Sequence, residues 1–299
     1  MREKLGRGMA ANGESAKQKK KKKKKDSKDL IPADAGILSS QGSLVKRVKK
    51  WWPFRPSSSW ESAAIATCTI FVFCAPVLLS GLSVPGFLSL FLISLFTWRA
   101  FEYQGFLIVV LYFFLAMTEK SGRRGLGSVL GSGAVGVLCA FAAITGLGGW
   151  EWEGLWKLGF LTSFCTKLSD TISSEIGKAY GKTTYLVTTM STVPPGTEGA
   201  VSLEGTLAGL LASVILSAVA CALNLTDQTG TVICVVTAQI ANLCESFIGA
   251  ALQGHEGYEW ITDGVVNIVN IMIGATLAIL MRRLNDKIRN SHESEAGVL

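Results

Sequence analysis

From residue 61 onward the chain alternates long apolar runs with short polar breaks. The runs predict membrane-crossing helices near 61–81, 126–149, 154–173, 199–223, 229–252 and 264–283. Each is about as long as a hydrocarbon core requires, roughly 17–25 residues. Two further runs, 86–98 and 104–117, are shorter and are separated by Arg99, Glu102 and Gly105. Segments of that length tilt, form a re-entrant hairpin or merge into one broken span. The expected fold is therefore all-α: a polytopic integral membrane protein with about seven or eight transmembrane or re-entrant helices. Gly127, Gly131, Ser132, Gly133 and Gly136 give the run at 126–149 a small-residue face suited to close helix packing.

Composition agrees with that pattern. Mean hydropathy is +0.38 and 49% of the residues are hydrophobic, which places the chain outside the soluble class. The net charge of +7 is concentrated at one end, since residues 1–50 hold 16 Lys/Arg against 5 Asp/Glu. Three regions follow: a disordered Lys-rich tail at 1–55, a membrane domain at 56–284 that carries the site, and a polar tail at 285–299. The unbroken lysines from Lys19 to Lys25 read as a solvated tail drawn to anionic lipid. No nucleic-acid partner is expected, and nothing predicts a protein partner. Trp51 and Trp52 suit interfacial anchors before the first span. Glu3, Glu14, Asp26 and Asp29 depart from the acid-poor composition of an organelle transit peptide. The seven cysteines form no CxxC pair, and His255 and His292 are the sole histidines. Neither a zinc site, a disulfide framework nor a histidine-based triad is indicated.

Charge inside the apolar body is the main chemical signal. The stretch from Cys165 to Ala212 carries Asp170, Glu175, Lys178, Lys182, Glu198 and Glu204. An ionised group at bilayer depth costs ~3 kcal/mol on insertion scales, so such groups mark a site or a paired contact. GKAYGKT at 177–183 has three residues between its first glycine and Gly-Lys-Thr, whereas a P-loop has four, and no predicted strand precedes it. Lys178 and Lys182 are four apart and share one face if the helix continues. Asp170 and Glu175 point about 140° apart on a helix, and line one cavity only if that helix bends or ends near Gly177. Carboxylates there suit Mg²⁺, which takes one or two of them together with phosphate oxygens and water. The alternative is an internal ion pair of Asp170 or Glu175 with Lys167 or Lys178.

PPGTEGAVSLEGT at 194–206 reads as a turn feeding a helix, with Thr197 capping a helix that starts near Glu198. Free N–H groups at that start make Gly196, Thr197, Gly199 and Ser202 candidate phosphate contacts. Gln239, Asn242, Glu245 and Ser246 form one polar stripe, Asn267 and Asn270 another, and with Glu204 they are expected to face the same interior. Arg123 and Arg124 lie in a cationic loop before the Gly-rich helix and suit bidentate phosphate binding.

SDTISSEIGKAYGKTTYLVTT followed by VPPGTEGAVSLEGTLAGLLAS closely resembles the plant and algal phytyl-phosphate kinases of vitamin E biosynthesis, within a wider family of integral membrane proteins. GRRGLGSVLGS, QIANLCESFIGA and DGVVNIVNI extend the likeness from about Trp98 to Leu280. The resemblance implies transfer of the γ-phosphoryl group of CTP or another nucleoside triphosphate to phytyl phosphate, in a chloroplast membrane. Two anions must then be brought together, which calls for Mg²⁺ and cationic clamps. On that reading Asp170, Glu175 and Glu198 or Glu245 hold metal, while Arg123, Arg124, Lys178 and Lys182 hold phosphates. The competing readings are a transporter or flippase for an isoprenoid or phosphorylated compound, and a kinase of another polyprenol or polyprenyl phosphate.

Overall fold

The computed structural model describes residues 59–116 and 125–296. It contains the helices α1 (Trp60–Gly81), α2 (Val84–Ala116), α3 (Leu126–Ile144) and α4 (Trp150–Tyr180). A short antiparallel hairpin of β1 (Thr184–Leu186) and β2 (Ala200–Ser202) follows, and then α5 (Leu203–Ala222), α6 (Gln228–Leu252) and α7 (Asp263–Ala296). Six of the seven helices, all but α4, are long and apolar enough to cross a membrane. The chain is thus an all-α, multi-pass membrane protein.

α4 is the exception because it is the inner helix. It packs against α2, α3, α5, α6 and α7, and from Leu155 to Gly177 no residue on it is fully exposed. Its neighbours meet the lipid instead. Their outer faces carry bare apolar side chains such as Phe114, Leu138, Leu211 and Leu243. A helix sheltered in this way need not be apolar all round, which frees α4 to carry charge.

The two short runs at 86–98 and 104–117 merge into α2, broken at Glu102 with φ 55° and ψ −153°. In a straight helix, residues eight apart are separated by about 12 Å along the axis. Here the ring centroids of Trp98 and Phe106 lie 5.3 Å apart, so the chain bends sharply and its halves touch. Gly105 permits the bend: a Cβ there would meet Phe101 Cβ at 2.7 Å and Thr97 Cγ2 at 3.0 Å. The side chain of Gln104 then reaches the end of α5, donating to the carbonyl of Leu223 at 2.6 Å.

Four expected spans change by several residues: α4 covers Trp150–Tyr180 rather than 154–173, and α7 runs on to Ala296 rather than stopping at 283. α3 ends at Ile144 because the chain turns through Gly146, Gly148 and Gly149, all at positive φ. The span foreseen at 199–223 starts only at Leu203, because residues 200–202 pair with 184–186. Within α3, Gly133 and Gly136 do admit Ile93 and Phe164, whereas Gly127 and Gly131 face open space.

At the end of the bundle remote from the hairpin, Asp227 caps α6 by accepting from the Gly230 N–H at 2.7 Å. The same carboxylate takes both terminal nitrogens of Arg282, at 2.7 and 2.9 Å, tying α7 to the start of α6. These donors, Arg282 foremost, hold the Asp227 carboxyl below its ordinary range.

Gly105→Val should lower the thermal midpoint in detergent by the equivalent of about 1–3 kcal/mol, the usual cost of overpacking. Gly127→Ala, placed where nothing lies within 4 Å, should not. A depressed carboxyl stabilises the fold above its unfolded pKa, about 3.9 for Asp, and loses that contribution as pH falls through the lower folded value. The Asp227 side chain is 55% exposed, so solvent screening keeps the effect to ~1 kcal/mol or less. Melting scans should therefore show Asp227→Asn destabilised at pH 6, with the gap to wild type closing below about pH 4.

Candidate functional site: a carboxylate-lined cavity within the bundle

Small residues set the geometry of the site. Ser169, Ser173 and Gly177 form a stripe on α4 at four-residue spacing, and Gly205 and Gly209 form another on α5. The stripes meet. A Cβ on Gly205 would stand 2.5 Å from the Ser173 carbonyl oxygen, and one on Gly209 would stand 2.7 Å from that of Ser169. Such contact brings the two backbones together without large side chains between them. The β-hairpin folds over the junction, with Gly199 at φ 73° wedged against Ser246 and Ala250 of α6.

Below the hairpin lies a cavity of about 330 Å³, walled by α4, the hairpin, the start of α5, the end of α6 and the start of α7. Five carboxylates line it (Asp170, Glu175, Glu198, Glu245 and Asp263) against two ammonium groups, Lys167 and Lys178. Serine and threonine hydroxyls supply most of the remaining polar wall.

The inner end is the more organised. Lys167 Nζ donates to Asp170 Oδ2 at 2.6 Å and to the side-chain oxygen of Asn267 on α7. The side chains of the ion pair are 16% and 18% exposed. The Glu245 carboxyl lies against that of Asp170 and accepts from the Asn270 amide. Asn270, fully buried, also donates to Asn242 Oδ1 at 3.2 Å. Asn242 in turn donates to Ser169 Oγ at 2.9 Å. Gln239 reaches the same hydroxyl at 3.0 Å and Ser213 at 3.3 Å. One polar chain thus links α4, α5, α6 and α7, as low-dielectric surroundings require of buried polar groups.

Most of the residues singled out in the sequence converge here. Asp170, Glu175 and Lys178 line the cavity although the two acids are five positions apart, because α4 ends at Tyr180 and its last turns form one wall. Gly196, Thr197, Glu198, Gly199 and Ser202 line it from the hairpin, and Glu245 and Asn267 from α6 and α7. Asn242 and Asn270 stand behind that wall as supports.

Others are placed differently. Lys182 follows the Gly181 cap, so it shares no helical face with Lys178, and it is exposed away from the cavity. Glu204 is half-buried in the first turn of α5, outside the cavity wall. Thr197 caps no helix, since its hydroxyl donates to the Pro194 carbonyl at 2.8 Å. Ser202 performs the capping, accepting from the Gly205 N–H at 3.1 Å. Arg123 and Arg124 lie outside the described residues, as does the lysine-rich tail. Among the described residues no three Asp, Glu, His or Cys side chains gather in a metal-binding cluster, so Asp170, Glu175 and Glu198 line one cavity without forming such a group.

Sequence reasoning gave Lys167 only the role of a possible partner, and passed over Asp263 and Gln253. A signal for Lys167 existed: a lysine one turn before an aspartate inside a predicted span. Asp263 and Gln253 join at 2.9 Å across the outer end, a contact between two helix termini that no spacing announces.

A polar, acid-rich cavity enclosed by membrane-crossing helices defines an integral membrane protein with an internal site. The chain belongs to the family described as integral membrane protein DUF92, which matches residues 67–275 and so includes the whole cavity wall. It is 47% identical over 267 residues to "Protein VTE6, chloroplastic" of Arabidopsis thaliana, covering 84% of this chain and 80% of that protein. An uncharacterised membrane protein of Synechocystis is 39% identical over 237 residues, covering 74% of this chain and 90% of its own. One from Methanocaldococcus jannaschii is 29% identical over 208 residues, covering 67% and 82%. No solved structure matches the chain at a significant level.

Asn270→Leu keeps the branched outline of the side chain, at a larger volume, but leaves the Glu245 carboxyl without its amide donor. It should lower the melting midpoint in detergent by about 1–3 kcal/mol, the cost of an unsatisfied buried group. Glu245→Gln, which still accepts from Asn270, should cost less than half as much.

Proposed function

We propose that this protein is a membrane-bound phosphotransferase of isoprenoid metabolism. It transfers the γ-phosphoryl group of CTP or another nucleoside triphosphate to phytyl phosphate, giving phytyl diphosphate for tocopherol synthesis. The observation that carries this reading is the acid- and lysine-lined cavity held within a membrane bundle. Its volume of about 330 Å³ suits phosphate groups, while a long isoprenoid chain stays in the surrounding apolar phase. The similarity along most of both chains to a protein designated chloroplastic supports a chloroplast membrane as its location.

The chemistry needs little from a base. In the transfer, a phosphate oxygen of the acceptor bonds to the γ-phosphorus as the bond to the bridging oxygen breaks, and the nucleoside diphosphate leaves. The obstacle is electrostatic, and five carboxylates in the wall increase it. A donor set of carboxylate, hydroxyl and amide oxygens without histidine or cysteine fits Mg²⁺. Because Asp170, Glu175 and Glu198 line the cavity without gathering into one cluster, one or two of them would hold it together with substrate phosphate oxygens, and it would offset the charge of both phosphate-bearing substrates. Lys178 and Lys167 add fixed positive charge, and the hairpin supplies one wall of the cavity.

A transporter reading draws on one observation of its own, the broken helix α2 beside a bundle with internal charges. Turnover separates the two. Purified protein in detergent, given phytyl phosphate, Mg²⁺ and each nucleoside triphosphate in turn, should yield phytyl diphosphate with at least one donor and none after EDTA treatment. Asp170→Asn should fall to ~1% of wild-type turnover or less while eluting as a folded protein, in line with the loss of one electrostatic catalytic group. Failure of folded wild-type protein to form product with any donor, alongside release of phytyl phosphate from loaded vesicles, would replace the kinase with the transporter.

A further inference from the structure

The cavity is long along α4, and its two cations sit at opposite ends. Lys167 and Lys178 are eleven residues apart, about 16 Å along a helix axis. Lys178 is exposed, as are Thr197 and Glu198 of the hairpin turn that line the same cavity. Lys167 is deep. α4 has 31 residues, a length of about 47 Å that exceeds a full bilayer with its headgroups, and Lys167 lies near its middle.

We infer that the two substrates occupy opposite ends of this cavity: the phosphate of the isoprenoid acceptor binds Lys167 at the inner end, and the nucleotide donor binds Lys178 at the outer end. The assignment rests on the phosphotransferase reading and gives its substrates an order in depth.

Three observations carry it. An ammonium has three N–H donors, and Lys167 uses two, on Asp170 and Asn267, leaving a third for a ligand of the cavity it lines. The Asp170 and Asn267 contacts also fix Nζ in place, so little side-chain entropy is lost on binding. Third, depth sorts the ligands. A water-soluble triphosphate reaches the exposed end without crossing apolar surface. An amphiphile whose chain is already dissolved in the membrane keeps that chain out of water while its phosphate reaches mid-depth. The reacting phosphoryl group then lies between the two lysines, beside Asp170 and Glu175.

The test is a split in Michaelis constants, supported by binding without turnover. Lys167→Gln should raise the KM for phytyl phosphate about 10- to 100-fold, the range of a lost charge-assisted hydrogen bond, and move the nucleotide KM less than twofold. Lys178→Gln should do the reverse. Because Lys167→Gln leaves Asp170 buried without its cation, the charge-neutral pair Lys167→Met with Asp170→Asn provides a second check. That double variant should stay folded, yet lose the rise in melting temperature that phytyl phosphate alone, without metal or nucleotide, gives to wild type. The assignment is overturned if Lys167→Gln raises only the nucleotide KM, if the double variant keeps the shift, or if wild type has no shift. A wild type that is shifted by phytyl phosphate through Lys167 but forms no diphosphate would keep the inner binding site and reject the kinase.

Discussion

The absence of water in a hydrocarbon core governs this structure. Any ion or amide at mid-depth has to be answered by another part of the chain, and that single requirement explains why α4 is enclosed by five helices. The enclosure is possible only because Gly205 and Gly209 let α5 press onto the α4 backbone, and because Gly133 and Gly136 let α3 accept Ile93 and Phe164. Close packing and internal polarity are therefore not separate properties here. Without the small residues there would be gaps beside the charges, and without the charges the tight seams would enclose nothing of use.

Five acids against two lysines leave the cavity over-supplied with negative charge for the phosphate substrates proposed for it. Such an imbalance is uncomfortable in isolation, since adjacent carboxyls such as Asp170 and Glu245 repel when both are ionised. In the proposed phosphotransferase it would become productive when cations arrive with the substrate, because such a wall disfavours anions lacking an accompanying metal. Support is graded with depth. The inner groups are braced by Asn242, Asn267, Asn270 and Ser169, while Glu198 at the outer end sits on an exposed turn.

Much of the fold was legible because bilayer physics writes length and apolarity directly into sequence. The spans at α1, α6 and the apolar part of α7 were readable on that basis, and α4 was visible as a run despite its charges. Glu102 was another matter. Two short runs flanking polar residues left a hairpin and a broken span equally open, and the bend depends on contacts of Gly105 with Thr97 and Phe101 that have no periodic signature. The start of α5 was misjudged for a similar reason, since the β1–β2 pairing joins residues 14 to 18 positions apart in sequence. In the site, intramembrane charge pointed to Asp170, Glu175 and Glu245. It did not separate Lys178 from Lys182, because that distinction turns on where a helix stops.

The spacing of Lys167 and Asp170 bears on biogenesis. Translation delivers α4 to the membrane well before α7, so Asn267 does not yet exist when Lys167 must leave water. A partner three residues away on the same helix is available from the start, and it cancels the charge of the incoming segment without help from any later one. Glu245 has no such companion on its own helix and meets Asn270 only after the next span is made. The order of residues along the chain is in this respect a schedule for insertion, with the lysine sent into the lipid already neutralised and the second acid left to wait for the last helix.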